Sequence, residues 1–142
     1  MTTRSARPFS LVDAAIRLAI VGLALGTAYI HSTLGGLLFT LNAAGYLVAA
    51  VAMIAPIALA SRFRWFIRVG LMGYAVTTIV GWAITGPYYS TAYVAKAIEV
   101  ALIVALAVDF ARFDGNPVSK IRSEIALGLA FVRGRRSEPA GA

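Results

Sequence analysis

The stretch Tyr29-Ile30-His31-Ser32-Thr33-Leu34-Gly35-Gly36-Leu37-Leu38-Phe39-Thr40-Leu41-Asn42-Ala43-Ala44-Gly45-Tyr46 decides the fold of this chain. It holds the single histidine, His31, a glycine pair, Gly35 and Gly36, and an asparagine, Asn42, in apolar surroundings. Long apolar segments run away from it on both sides. Glycine enters backbone conformations closed to other residues, so the pair reads as a turn between two helices at one membrane face.

The composition names the solvent. The chain has 142 residues, of which 60% are hydrophobic and 13% charged. Soluble domains average roughly 45–50% apolar and about 25% charged residues. This length allows one domain, and its surface is too apolar for water. The expectation is an all-α integral membrane protein held together by helix–helix packing. The chain has no cysteine, which removes disulfides, thiol redox chemistry and thiolate metal sites. Arginine outnumbers lysine eleven to two and alanine is abundant, as in chains from GC-rich bacterial genomes.

Four spans are expected, at about 11–29, 36–59, 66–85 and 91–110, each near the roughly 20 residues that cross a bilayer core. A basic start before an apolar run also fits a signal peptide. Asp13 and Arg17 interrupt that run and no small-x-small cleavage site follows, so the segment reads as a retained span. Gly22 and Gly26 offer a small-residue face to another helix. Pro56 removes a backbone donor and predicts a kink or an early end to the second span. Thr77 and Thr78 are expected to bond back to their own helix carbonyls.

Between the second and third spans, Arg62, Arg64 and Arg68 interleave with Phe63, Trp65 and Phe66. Basic and aromatic residues mixed in this way can bind nucleic acid. Between two spans they read instead as a lipid anchor, with rings at headgroup depth and guanidinium groups on phosphates. After the fourth span, Gly115, Asn116 and Pro117 break the helix. Val118, Ile121, Ile125, Leu129 and Val132 then follow helical spacing. Residues 115–142 are therefore expected to form a basic amphipathic tail lying on the membrane surface. Arg133, Arg135 and Arg136 add attraction to anionic lipid headgroups.

The charge pattern orients the chain. Three Lys or Arg residues lie at or near the N-terminus, three in or beside the middle loop and six after the fourth span; the thirteenth, Lys96, sits deep inside a span. The turns at 30–35 and 86–90 carry none. The positive-inside rule puts both termini in the cytoplasm and His31 on the outer side. Short turns make an up-down four-helix bundle over residues 1–114, in a bacterial inner membrane. The partners expected are the bilayer and its anionic lipids, with other membrane subunits or further copies of the chain also compatible; nucleic acid is not expected.

Chemistry, where present, is expected at the outer end. Lys96 and Glu99 are three residues apart and share a helix face. Counted from Thr91, they lie about 8 and 12 Å inside the outer end; Asn42, counted from Gly36, lies at about 9 Å. Thr78 and Trp82 reach the same layer, and His31 and Tyr93 lie above it. Ionisable residues inside a membrane mark a candidate site. Read functionally, Glu99 carries a proton or meets a cationic ligand, Lys96 holds its charge, His31 gates or relays protons, and Asn42 orients the ligand. Read structurally, Lys96 and Glu99 neutralise each other and His31 is an interfacial residue. Asp13 with Arg17, and Asp109 with Arg112, read as structural pairs near the inner face.

One histidine cannot supply bis-imidazole haem ligation within a chain, and Met53 and Met72 lie toward the opposite face. No zinc cluster, Walker loop or nucleophile elbow appears. No metal or cofactor and no catalytic residue is expected, and the chain reads as non-enzymatic: an accessory or small-ligand-binding bundle, or alternatively a small proton-coupled transporter or permease.

The segment from Gly35 to Tyr46 resembles the opening hairpin of uncharacterised small four-helix bacterial membrane proteins. The overall organisation is similar to DoxX-like four-helix proteins in helix count and size. Small multidrug transporters share the number of spans but place their essential carboxylate in the first; here the deep carboxylate, Glu99, is in the fourth.

Overall fold

A computed structural model describes residues 10–55, 63–113, 115, 119, 122–123 and 125–130. They are helical, with no strand among the described residues. Four long helices follow one another: α1 (Leu11–Thr33), α2 (Leu37–Ile54), α3 (Arg64–Thr85) and α4 (Ser90–Phe113). Three of them, α1, α2 and α3, are long and apolar enough to cross a membrane. The shortest, α2, has 18 residues and is about 27 Å long. The fourth helix carries four charged residues, Lys96, Glu99, Asp109 and Arg112.

Local chemistry sets the helix ends. Ser10 caps α1: its hydroxyl accepts from the Asp13 amide, and Asp13 accepts in return from the Ser10 amide at 2.9 Å. This reciprocal capping box satisfies two amides that the first turn leaves open. The buried Asp13 is thus a capping residue as well as a neighbour of Arg17. At its other end α1 runs to Thr33, four residues past the expected end at Tyr29. The turn is correspondingly tight. Gly35 and Gly36 take φ of +71° and +84°, where a Cβ would be strained. Helix α2 stops at Ile54, and Ala55 has an extended ψ of 124°, the conformation favoured before proline. Of the two outcomes expected from Pro56, early termination is the one that occurs.

The packing inverts the pattern of a soluble protein. Seven alanines are among the buried residues, including Ala24, Ala50, Ala75 and Ala95. Large apolar residues face outward on every helix, among them Leu18, Leu41, Val48, Val80 and Val104. Small residues let helices approach closely where no water is expelled, and so large an exposed apolar surface is foreign to soluble monomers. One core joins the four helices, with Ile20 and Ala24 from α1, Tyr46 and Met53 from α2, Leu71 and Ala75 from α3, and Leu102 and Leu106 from α4.

Gly45 of α2 makes room for Tyr74 of α3. A Cβ there would lie 2.7 Å from the Tyr74 hydroxyl oxygen and 3.0 Å from the ring carbon that bears it. Tyr74 uses the space to donate to the Asn42 carbonyl at 3.3 Å and to meet the Tyr46 ring edge-on at 4.9 Å. The expected small-residue face on α1 is used unevenly. A Cβ on Gly26 would make ordinary contact with Ile98 of α4, whereas one on Gly22 would touch nothing within 4 Å.

By its contacts the chain divides into Met1–Asp109 and Phe110–Ala142. In the second unit, residues 119, 122, 123 and 125–130 are helical, and Ile125, Leu127 and Leu129 are exposed. Of the expected amphipathic face, Ile125 and Leu129 are described; Val118, Ile121 and Val132 lie outside the described residues.

Candidate functional site

Glu99 is the centre of a polar cluster built by all four helices. Its side chain is fully buried. Lys96, one turn earlier on α4, reaches Oε2 at 2.7 Å. Thr78 on α3 places its hydroxyl 2.8 Å from the same oxygen. Thr27 on α1 donates to Oε1 at 3.3 Å. His31 on α1 brings Nε2 to 3.7 Å from Oε1. Tyr46 on α2 closes the cluster, its hydroxyl 3.1 Å from that of Thr78. A buried carboxylate is tolerable only when paired and hydrogen-bonded, and here both oxygens have partners.

Two proton positions follow from the donors and acceptors. Thr78 Oγ1 lies 2.8 Å from both the Ala75 carbonyl and Glu99 Oε2, and a hydroxyl has one proton to give. When that proton goes to Glu99, Tyr46 donates into Thr78 and extends the chain of bonds by one residue. His31 Nδ1 lies 2.8 Å from the Thr27 carbonyl. A carbonyl only accepts, so Nδ1 carries a proton, and Nε2 faces Glu99 Oε1.

A cavity of about 440 Å³ lies beside this cluster, within the 300–1,000 Å³ typical of small-molecule sites. His31, Asn42, Thr78 and Lys96 bring polar atoms to it; Leu34, Leu38, Phe39 and Leu41 make one apolar wall and Trp82 with Pro87 and Tyr89 another. Glu99 is not among its lining residues; it sits behind Lys96 and His31. Trp82 donates to the Pro87 carbonyl at 2.7 Å and meets Tyr88 and Tyr93 edge-on at 5.4 and 5.1 Å. Other polar groups on the wall are already engaged: Thr77 with the Gly73 carbonyl, Thr85 with that of Gly81. Asn42 Oδ1 is buried and has no hydrogen-bond partner.

The sequence-derived candidates therefore fall into three groups. Lys96, Glu99 and His31 come together directly. Asn42 and Trp82 line the adjoining cavity. Tyr93 is half exposed and touches the site only through the Trp82 ring. His31 is 3% exposed, since it stands on the face of α1 turned to Glu99 of α4. Thr78 bonds back to its own helix as expected and bonds to Glu99 as well. Thr27 and Tyr46 were not expected. Their signal was spacing: Thr27 lies one turn before His31, and Tyr46 one turn after Asn42.

The lipid anchor also changes. Arg68 is 2% exposed and binds Asp109 through Nε at 2.6 Å. Its guanidinium is directed at α4, and Asp109 pairs across helices with Arg68. Arg68 lies one turn into α3 from Arg64, on a face turned inward. Arg64 and Trp65 are partly exposed. Arg62, Arg133, Arg135 and Arg136 lie outside the described residues.

Compared with known proteins, the chain matches no family, no curated protein and no solved structure.

Proposed function

We propose that this chain is a non-enzymatic integral membrane protein that binds a small ligand in the cavity beside Glu99. In this reading the helices form an up-down four-helix bundle in a bacterial inner membrane, both termini are cytoplasmic, and the cavity opens outward. Arg64 and Trp65, with the basic tail, rest on anionic lipid headgroups. Three apolar helices, an outward apolar surface and uncharged turns at 34–36 and 86–89 support it. The fourth helix fits as a span because α1 and α3 supply partners to its buried charges.

The observation that carries the binding reading is the juxtaposition of the 440 Å³ cavity with Lys96 and His31 at one end. A pair held only for structure needs no such space beside it. The test uses Gly81, which lines the cavity and whose added Cβ would touch nothing within 4 Å. Gly81→Phe is expected to fold, gaining the roughly 1 kcal/mol that a helical glycine forfeits, and to fill the cavity. Thermal stabilisation of the purified chain by a panel of indole, benzamide, benzoate and a short-chain quinone is the readout. Stabilisation of the wild type by at least one compound, lost in Gly81→Phe, supports the reading; no stabilisation by any of them refutes it.

A second reading, a small proton-coupled transporter, is favoured by one distance. His31 Nε2 and Glu99 Oε1 are 3.7 Å apart, close enough to exchange a proton after a small movement or through one water. Proton-dependent flux in proteoliposomes separates a carrier from a binding protein.

A further inference from the structure

Resting on the binding reading, we propose that the cavity takes a small weak acid with an apolar body, held as its anion by Lys96 while its proton is held by His31. The polar groups presented to the cavity set the sign of the ligand. Glu99 is fully buried and absent from the wall, whereas Lys96 and His31 are on it. A cation entering the cavity meets the ammonium first, so the carboxylate behind it attracts nothing from that side. Lys96 donates to Glu99 Oε2 and, at 3.3 Å, to the Thr78 carbonyl. An ammonium has three protons, and one remains for a ligand. Asn42 Oδ1, an acceptor without a partner, takes a hydrogen bond only from a donor and adds nothing to the hold on an anion. On the same wall Thr77, Thr85, Trp82 and Tyr74 are bonded to main-chain carbonyls.

Charge balance then couples the anion to a proton. With His31 neutral, Lys96 and Glu99 cancel. An added anion leaves one negative charge in a region where unpaired charge is costly. A single proton restores neutrality. Nδ1 of His31 is committed to the Thr27 carbonyl, so the proton goes to Nε2 and the imidazolium faces Glu99 Oε1. The acid HA thus divides within the site into A⁻ beside Lys96 and H⁺ beside Glu99, with no change in total charge. Of the titratable groups around His31, Glu99 from α4 and Tyr46 from α2 touch it, and Lys96 from α4 and Tyr74 from α3 line the same cavity. Both tyrosine hydroxyls are engaged, with Thr78 and with the Asn42 carbonyl respectively. Phe39 and Tyr46 cover the imidazole at ring distances of 6.2 and 5.9 Å.

The full-length chain in nanodiscs, titrated calorimetrically with benzoate and with its neutral isostere benzamide, tests this. Buffers of different ionisation enthalpy at pH 7.5 report the protons taken up. Benzoate is expected to bind at least about tenfold more tightly than benzamide, as a charged hydrogen bond warrants, with uptake of about one proton. His31→Gln is expected to abolish the proton uptake and the preference for benzoate over benzamide. Benzamide binding as tightly as benzoate overturns the proposal, and so does benzoate binding without proton uptake; both are read on the wild type, independently of whether the variant folds. If benzamide or indole binds the wild type and not Gly81→Phe while benzoate fails, the binding reading survives and the acid falls. If no compound of the panel binds, both fall.

Discussion

Arg68 and Asp109 form a second buried charge pair, remote from the cavity lining. Two charges removed from water cost more than their mutual attraction returns unless the geometry is good, and removing one partner leaves the other stranded. Asp109→Asn is therefore expected to destabilise the chain by about 3 kcal/mol, seen as a lower midpoint in detergent thermal unfolding. The double variant Arg68→Met with Asp109→Leu should recover more than half of that loss. A double variant as unstable as the single one would mean that the pair holds something other than itself. At this scale the sequence was legible where pairing is local. Lys96 and Glu99 are one turn apart, so their contact follows from helix geometry. Arg68 and Asp109 are 41 residues apart, and no spacing rule connects them; only the inward face of α3 does. The burial of His31 was hidden for a related reason: Glu99, its partner, is 68 residues away.

Among the elements, α2 and α3 depend on one missing side chain. Gly45 gives Tyr74 the room to reach the Asn42 carbonyl and the Tyr46 ring. Gly45→Val puts branched carbon where that ring lies and displaces it, so a loss of about 1–3 kcal/mol is expected, in the range of overpacking. Thermal unfolding checks this, and Gly22→Val, on an open face, is the control that should be neutral or mildly stabilising. The two Gly-Tyr pairs, Gly45-Tyr46 and Gly73-Tyr74, were visible in the sequence as a bare dipeptide likeness. That the two tyrosines meet edge-on was not, since it requires knowing how far α2 is offset along α3. The turn at Gly35 and Gly36 was legible because left-handed backbone is what glycine supplies. The early end of α2 was legible as one of two consequences of Pro56, and chain chemistry alone does not choose between a kink and a stop.

For the molecule as a whole, composition led to long apolar helices, and three are long and apolar enough to cross a membrane. The cavity was not legible. Its walls come from segments scattered between His31 and Lys96, and no periodicity reports empty space. Orientation rests on charge counting. A phosphatase reporter fused after Ala142 is expected to be inactive, and the same reporter inserted after Tyr88 active, if both termini are cytoplasmic. The reverse result would turn the cavity toward the cytoplasm and leave its chemistry unchanged.

The ion pairs and hydrogen bonds of α4 also bear on how the molecule is made. Glu99 and Asp109 lie about 15 Å apart along the helix, and each carries a charge that a lone helix at the bilayer centre would accept at a cost of about 2.5–3.5 kcal/mol. The groups that receive them lie upstream in the chain: Thr27 and His31 on α1, Arg68 and Thr78 on α3. By the time the ribosome releases α4, its docking positions already exist. On the proposed topology, then, the last helix enters a prepared slot rather than bare lipid, and the order of synthesis is part of what allows two buried carboxylates in so small a membrane protein.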